Sequence, residues 1–263
     1  MENIDSLILV ERIGSNNNIA LITLNRQKTL NTLNEEMLHQ MKDALISLKN
    51  DKSVRVAIIY AEGKSWCAGA DLKWMGSFGE EANKLIKFGQ ETFTLLDAVH
   101  FPVIAAVNGY ALGGGMELAM ACDIRIASEK ALFGQPETTV GLAPGWGATY
   151  RLSKIVGLGI AKELILTGRK FPADEALKIG LVSAIYPFDQ LRDKAIELAE
   201  QIAANAPIAV QEAKRAINRG LSASLEEGLK AEVEGSKICF ETEDIREGIA
   251  AIFEKRKPEF KGK

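Results

Sequence analysis

Glu117 follows three consecutive glycines, Gly113, Gly114 and Gly115, inside the segment Asn108–Ala119. Glycines that open directly into a helix leave bare backbone beside the helix N-terminus. The N–H groups there are unpaired donors, and the helix dipole favours negative charge. No Cβ blocks close approach, so an anionic ligand or a developing oxyanion suits this place. The run lacks the GxGxxG and GxxxxGK[ST] patterns of dinucleotide and P-loop sites. Glu117, in the first helical turn, reads either as an acid complementing the dipole or as a proton carrier. Glu137, in Phe133-Gly134-Gln135-Pro136-Glu137, reads either as a loop acid or as a second carboxylate. Two carboxylates on one pocket divide acid and base roles when their environments separate their pKa values. A third segment, Ser65–Leu72, is glycine-bearing and follows an apolar run.

The surrounding pattern shows what must hold these segments. Leu7–Arg12 and Asn18–Asn25 read as strands joined at Gly14-Ser15-Asn16-Asn17. Asn34 is placed to cap a helix whose face carries Met37, Met41, Ala44, Leu45 and Leu48. Val54–Tyr60 and Val103–Val107 are short apolar runs of the kind buried on both faces of a parallel sheet. A helix is expected over Glu80–Val99 and a strand near Asp123–Ala127. Strand–helix–strand repetition predicts right-handed crossovers over a largely parallel sheet. From about Gly157 helical patterns dominate, with one further strand at Leu181–Ile185. The fold class is α/β: a core over 1–200, then a helical region over 201–263.

Composition narrows the function. The 263-residue chain has 47% hydrophobic and 25% charged residues, as a globular domain does, and a net charge of −3. That charge argues against nucleic-acid binding through a globally basic surface. Cys67, Cys122 and Cys239 show no CxxC spacing and fit a reducing compartment. The N-terminus shows no secretory signal, and no apolar run approaches a membrane span, so a cytoplasmic protein with no membrane partner is expected. His39 and His100 lie in no hydrolase or metal motif. Cys67 has no histidine beside it and is expected to pack rather than react.

Taken together, Ser65–Leu72, Asn108–Ala119 and Phe133–Glu137 resemble the crotonase (enoyl-CoA hydratase/isomerase) superfamily. The likeness runs from Leu24-Asn25-Arg26 to Lys255-Arg256-Lys257-Pro258-Glu259-Phe260. It implies a spiral of ββα units with a C-terminal helical region that makes trimer contacts, commonly in a dimer of trimers. The resemblance further implies that the amides of Ala68 and Gly114 form an oxyanion hole, while Glu117 and Glu137 hold a water between them. Lys28, Gly69, Ala70, Asp71, Leu72 and Gly145, with Ala68 and Gly114, are the implied acyl-CoA contacts. The Lys73–Ala82 segment is expected to contribute to the acyl wall. No cofactor or metal is implied, coenzyme A being part of the substrate. The implied activity is hydration of a short- or medium-chain 2-enoyl-CoA in fatty acid metabolism. Isomerisation and decarboxylation are catalytic alternatives, and non-catalytic acyl-CoA or RNA binding is the alternative of another class. Trp146 departs from the small residues frequent at its position in hydratases, and could reshape the acyl pocket or pack elsewhere.

Overall fold

The computed structural model describes residues 6–76 and 82–263. Three parts of the expectations, the signal-free start at Met1–Asp5, residues 77–81 of the Lys73–Ala82 wall and the first two residues of the helix expected over Glu80–Val99, lie outside the described residues. The large sheet is centred on apolar runs that bury both faces. Its strands are β1 (Ile8–Ile13), β2 (Ile19–Leu24), β3 (Val56–Ala61), β5 (Val103–Val107), β7 (Ile124–Ser128) and β10 (Ala184–Tyr186), in the order β1-β2-β3-β5-β7-β10. The β1–β2 hairpin is antiparallel and every other pairing is parallel. Strands β2, β3 and β5 are buried at every residue, which explains their unbroken apolar sequence.

A second sheet was not visible in the sequence pattern. It has four three-residue strands: β4 (Ser65–Cys67), β6 (Tyr110–Leu112), β8 (Leu132–Gly134) and β9 (Lys170–Pro172), in the order β4-β6-β8-β9. Strands β4, β6 and β8 are mutually parallel, and β9 closes the edge antiparallel to β8. Each of these three parallel strands follows a strand of the large sheet after a sharp corner. Thus β3 leads to β4, β5 to β6 and β7 to β8, and the chain climbs as repeated ββ units.

The corners are tied to one another. Asn108 Nδ2 donates to Gly63 O at 2.8 Å, and Ser128 Oγ donates to Asn108 O at 2.7 Å. Asn108 and Ser128 are both buried, where such bonds hold register and are costly to lose.

Helices cover both faces of the large sheet. Helix α1 (Glu35–Asn50) is capped by Asn34, whose side chain accepts from Met37 N, and buries Met37, Leu38, Met41, Leu45 and Leu48. Helices α2 (Leu72–Met75), α3 (Ala82–Ala98) and α4 (Gly114–Ala121) follow on the same side, then α5 (Ala148–Val156), α6 (Leu158–Thr167) and α7 (Ala173–Lys178). On the opposite face α8 (Leu191–Ala203) buries Leu191, Ala195, Ala199 and Ala203 against Ile58, Ile104 and Ile126. This helix crosses the boundary expected at residue 200, because its apolar face completes the core of the sheet. The helical region proper is α9 (Pro207–Gly220), α10 (Leu225–Phe240) and α11 (Glu243–Glu254).

One buried ion pair fastens that region to the core. Lys214 Nζ, on α9, donates to Asp123 Oδ2 at 2.8 Å, Leu96 O at 2.8 Å and Phe101 O at 2.9 Å. Asp123 Oδ2 also accepts from Val103 N at 2.7 Å. Removing one partner of such a pair strands the other, at a cost of about 3 kcal/mol. Lys214→Met is therefore expected to lower the urea-unfolding free energy by about that amount. Adding Asp123→Asn should recover part of the loss, because no unpaired carboxylate remains; fully additive losses would contradict the pairing.

Candidate active site

The three segments singled out in the sequence converge because each leaves the end of one strand in the β4–β6–β8 triplet. Ala68–Asp71 follow β4, Gly113–Gly114 follow β6, and Gln135–Glu137 follow β8. The carboxyl ends of adjacent parallel strands are where α/β folds collect ligand-binding loops. Gly113 makes the turn into α4 with φ 51° and ψ −123°, a conformation that side chains resist. Its N–H continues the ladder by donating to Gly134 O at 2.9 Å.

Two backbone amides are exposed to the space between these loops. Gly114 stands in the first turn of α4, where N–H groups lack intrahelical acceptors. Ala70 lies beside it: a Cβ built on Gly114 would fall 3.4 Å from Ala70 N. Ala70 also forms an isolated parallel bridge with Leu33, in which Leu33 N donates to Gly69 O and Asp71 N donates to Leu33 O, both at 2.8 Å. That bridge engages the peptide groups on either side of Ala70. The Ala70 N–H therefore points the opposite way, and takes no acceptor among the described residues.

The expectation for Ala68 is corrected. Its N–H donates to Leu30 O at 3.0 Å, so this donor is already engaged in holding the Leu30 turn. In extended chain, successive N–H groups alternate sides; Ala68 and Ala70 are separated by the turn at Gly69, with φ +106°, which gives them different roles.

Glu117 is only 2% exposed, so it is no surface complement to a helix dipole. Its Oε1 accepts from Trp146 N at 2.8 Å and Ala148 N at 2.9 Å. Burial, reinforced by the charge of Glu137, pushes its pKa up to about 7 against the pull of the Ala148 and Trp146 amides and of Arg151. Glu137 sits on the 3-10 turn Pro136–Val140. Its Oε1 is 2.8 Å from where a Gly113 Cβ would stand, and its buried Oε2 has no hydrogen-bond partner among the described residues. Burial raises its pKa as well. Two buried carboxyl groups with raised pKa values beside two amide donors are equipped to move protons at a carbon next to a polarised carbonyl.

The other expected contacts divide. Lys28 lies exposed on the turn Gln27–Thr29, and Leu72 is exposed at the start of α2. Asp71 turns inward: it caps α2 by accepting from Lys73 N and Trp74 N, and pairs with Arg26 Nη1 at 2.8 Å. Burial alone would raise its pKa, but Arg26 and the two amides hold it below the usual carboxylate range. Gly145 is fastened through its carbonyl, which accepts from Gln90 Nε2 at 2.7 Å. Cys67 is fully buried and its thiol is pushed up to about 12 by burial, so it supplies no thiolate nucleophile. Among the described residues no group of three His, Cys, Asp or Glu side chains could hold a metal.

Trp146 points inward. Its indole meets Phe93 edge-on with centroids 5.6 Å apart. It fills space that a side chain on either Gly89 or Gly114 would invade, so the ring lies between α3 and the amide-bearing turn. Sequence patterns missed the Trp146 and Ala148 amides as ligands of Glu117. The available signal was Gly145-Trp146-Gly147 directly before an amphipathic helix, α5.

Comparison with known proteins places the chain in a family. Residues 14–263 match the family Enoyl-CoA hydratase/isomerase. The chain is 45% identical over 254 residues to the short-chain-enoyl-CoA hydratase of Clostridium acetobutylicum, covering 96% of each. It is 42% identical to the crotonyl-CoA hydratase of Syntrophomonas wolfei, covering 92% of this chain and 94% of that one. The crystal structure of enoyl-CoA hydratase from Bacillus anthracis superposes with a TM-score of 0.95 at 41% identity, over 98% of this chain and all of that one.

The elevated pKa of Glu117 has a consequence for stability. Its folded value of about 7 exceeds the ordinary glutamate value of about 4.3. The folded state therefore binds more protons between those values, and stability is lost as pH rises through about 7. Glu117→Gln keeps an acceptor for the two amides and carries no charge. It should unfold like the unmodified protein near pH ~4, and be more stable by roughly 1–3 kcal/mol at pH ~8.5. Equal stabilities in urea at both pH values would refute the buried-charge account.

Proposed function

We propose that this chain, which belongs to the enoyl-CoA hydratase/isomerase family, hydrates a short-chain 2-enoyl-CoA to the 3-hydroxyacyl-CoA. The observation that carries the reading is the placement of Glu117 and Glu137 beside the Ala70 and Gly114 amides, at the ends of three adjacent parallel strands. The thioester oxygen is held by those two N–H groups, and the enolate that forms on it is held more tightly than the ground-state carbonyl. A water lies between the two carboxyl groups. Its oxygen bonds to C3 while one carboxylate takes its proton, and the C2–C3 double-bond electrons move toward the thioester oxygen. C2 then accepts a proton from the other, protonated carboxyl group, so that one water is added and the pair ends with the same number of protons. The two amides on Glu117 Oε1 favour its charged form, but burial outweighs them, so the pair shares the two roles, one carboxyl group serving as base while the other serves as acid.

The names of the two curated relatives support a short acyl chain, and Trp146 beside Gly114 is consistent with a shortened cavity. Lys28, Gly69, Leu72 and Gly145 belong to the same reading as contacts of the coenzyme A moiety, with Asp71 shaping the loop from within. A homo-oligomer, a trimer or a dimer of trimers, is supported by the apolar side chains left open on the helical region. Phe253 is 82% exposed and Leu225 80%, with Val233, Phe240 and Ile252 also open; such a face is expected to be covered. A cytoplasmic setting is supported by three free cysteines and by the absence, among the described residues, of any helix long and apolar enough to cross a membrane.

Crotonyl-CoA hydration, followed as loss of the 2-enoyl absorbance, tests the reaction. Glu117→Gln and Glu137→Gln are each expected to lower kcat by about 10²- to 10⁴-fold. Normal turnover by either variant would remove the two-carboxylate mechanism, and turnover only of 3-enoyl or malonyl-type substrates would reassign the reaction to isomerisation or decarboxylation. Light scattering of the purified chain is expected to give three or six copies; a monomer at micromolar concentration would contradict the assembly.

A further inference from the structure

We propose that Arg151, anchored by Asp97, is a positioning residue that fixes the Trp146–Ala148 turn on which the Glu117 carboxylate rests. The inference depends on the hydratase reading for its kinetic consequences, but its geometry stands apart from that reading. Arg151 lies on α5, one helical turn beyond Gly147, and Arg151 N donates to Gly147 O at 2.8 Å. Its guanidinium folds back along the same turn. Nη1 donates to Trp146 O at 3.3 Å, and Nη2 donates to Asp97 Oδ2, on α3, at 2.8 Å.

Gly147 allows this arrangement. Its φ of +119° reverses the chain so that the N–H groups of residues 146 and 148 converge on one oxygen, a concave donor pair of the kind that binds anions. A side chain on Gly147 would collide with Arg151 Nη1, so the guanidinium lies directly on the glycine. The turn is thus gripped from two sides: Glu117 holds its two N–H groups, and Arg151 holds its carbonyl. The stretch 141–147 contains no helix or strand; it is also tied to α3 by the bond from Gln90 to Gly145 O and by the packing of Trp146 against Phe93 and Gly89. The planar guanidinium is suited to this task because it bridges a carboxylate and a carbonyl at once, whereas an ammonium is a point charge.

Charge acts in the same direction as the geometry. The charged groups acting on Glu117 are Glu137, which opposes its ionisation, and Arg151, which favours it. Asp97 faces Arg151, with its side chain 44% exposed, and acts on Glu117 through that contact. Without Arg151, the carboxylate would lose both its nearby cation and the constraint on its two donors.

The test compares Arg151→Met and Arg151→Lys with the unmodified full-length protein. Crotonyl-CoA hydration across pH gives kcat and KM, and carbon-13 NMR of labelled glutamate follows the Glu117 carboxyl, identified by its loss in Glu117→Gln. Arg151→Met is expected to lower kcat by roughly 10- to 100-fold with little change in KM, as slight misplacement of a catalytic group does. Its Glu117 titration should move to higher pH. Arg151→Lys keeps the charge and loses the fork, so its titration should stay near the original while kcat still falls. Original kcat and titration in Arg151→Met, or original kcat in Arg151→Lys, would overturn the proposal, even if both variants melted earlier, since a mere α3–α5 staple affects melting alone. If Arg151→Met does not fold, Arg151→Lys decides by its kcat. If the unmodified protein leaves crotonyl-CoA unchanged, the hydratase reading fails while the Glu117 titration still decides the role of Arg151.

Discussion

The hydrogen bonds that tie the strand corners together, Asn108 to Gly63 and Ser128 to Asn108, set the condition for everything at the site. Three-residue strands cannot hold their own register through length. They stay aligned because each begins at a corner joined to its neighbour, and each corner ends a strand of the large sheet, of which β3 and β5 are buried throughout. Once β4, β6 and β8 start level, their ends deliver Ala70, Gly114 and Glu137 to one place. The site therefore inherits its accuracy from the large sheet.

What the sequence made legible follows from signal length. The all-apolar runs of β2, β3 and β5 and the cap at Asn34 are strong local signals, and they make the α/β core legible. A three-residue strand carries less than two periods of alternation, too few to register as a pattern. The small sheet was therefore invisible, and with it the reason why segments so far apart in the chain should meet. The resemblance supplied that meeting. It did not supply the direction in which a given N–H points, and so Ala68 was taken where Ala70 stands. That distinction depends on the Leu33–Ala70 bridge and the Leu30 carbonyl, which are contacts remote in sequence. Helix α5 was passed over because its N-cap is Gly147, with no side-chain hydrogen bond.

Stability and chemistry pull against each other here in a definable way. Burying two acids beside each other opposes the charge on both, and the fold tolerates this because two amides and a nearby guanidinium partly offset it at Glu117. Elsewhere the protein pairs its buried charges closely, as Lys214 and Asp123 do. Glu137 Oε2, by contrast, has no donor among the described residues, and burial raises the pKa of this carboxyl group.

The indole of Trp146 acts mechanically as a spacer. Helix α3 and the turn bearing the Gly114 amide touch its opposite edges, each through a glycine, so the separation of those two elements equals the width of one rigid ring. A flexible side chain in that place would let the helix drift against the turn by the play of its rotamers. An aromatic plate fixed at its backbone by Glu117 and wedged edge-on against Phe93 transmits displacement almost without slack. The spacing of α3 from the amide turn is in this way set by the geometry of a single residue.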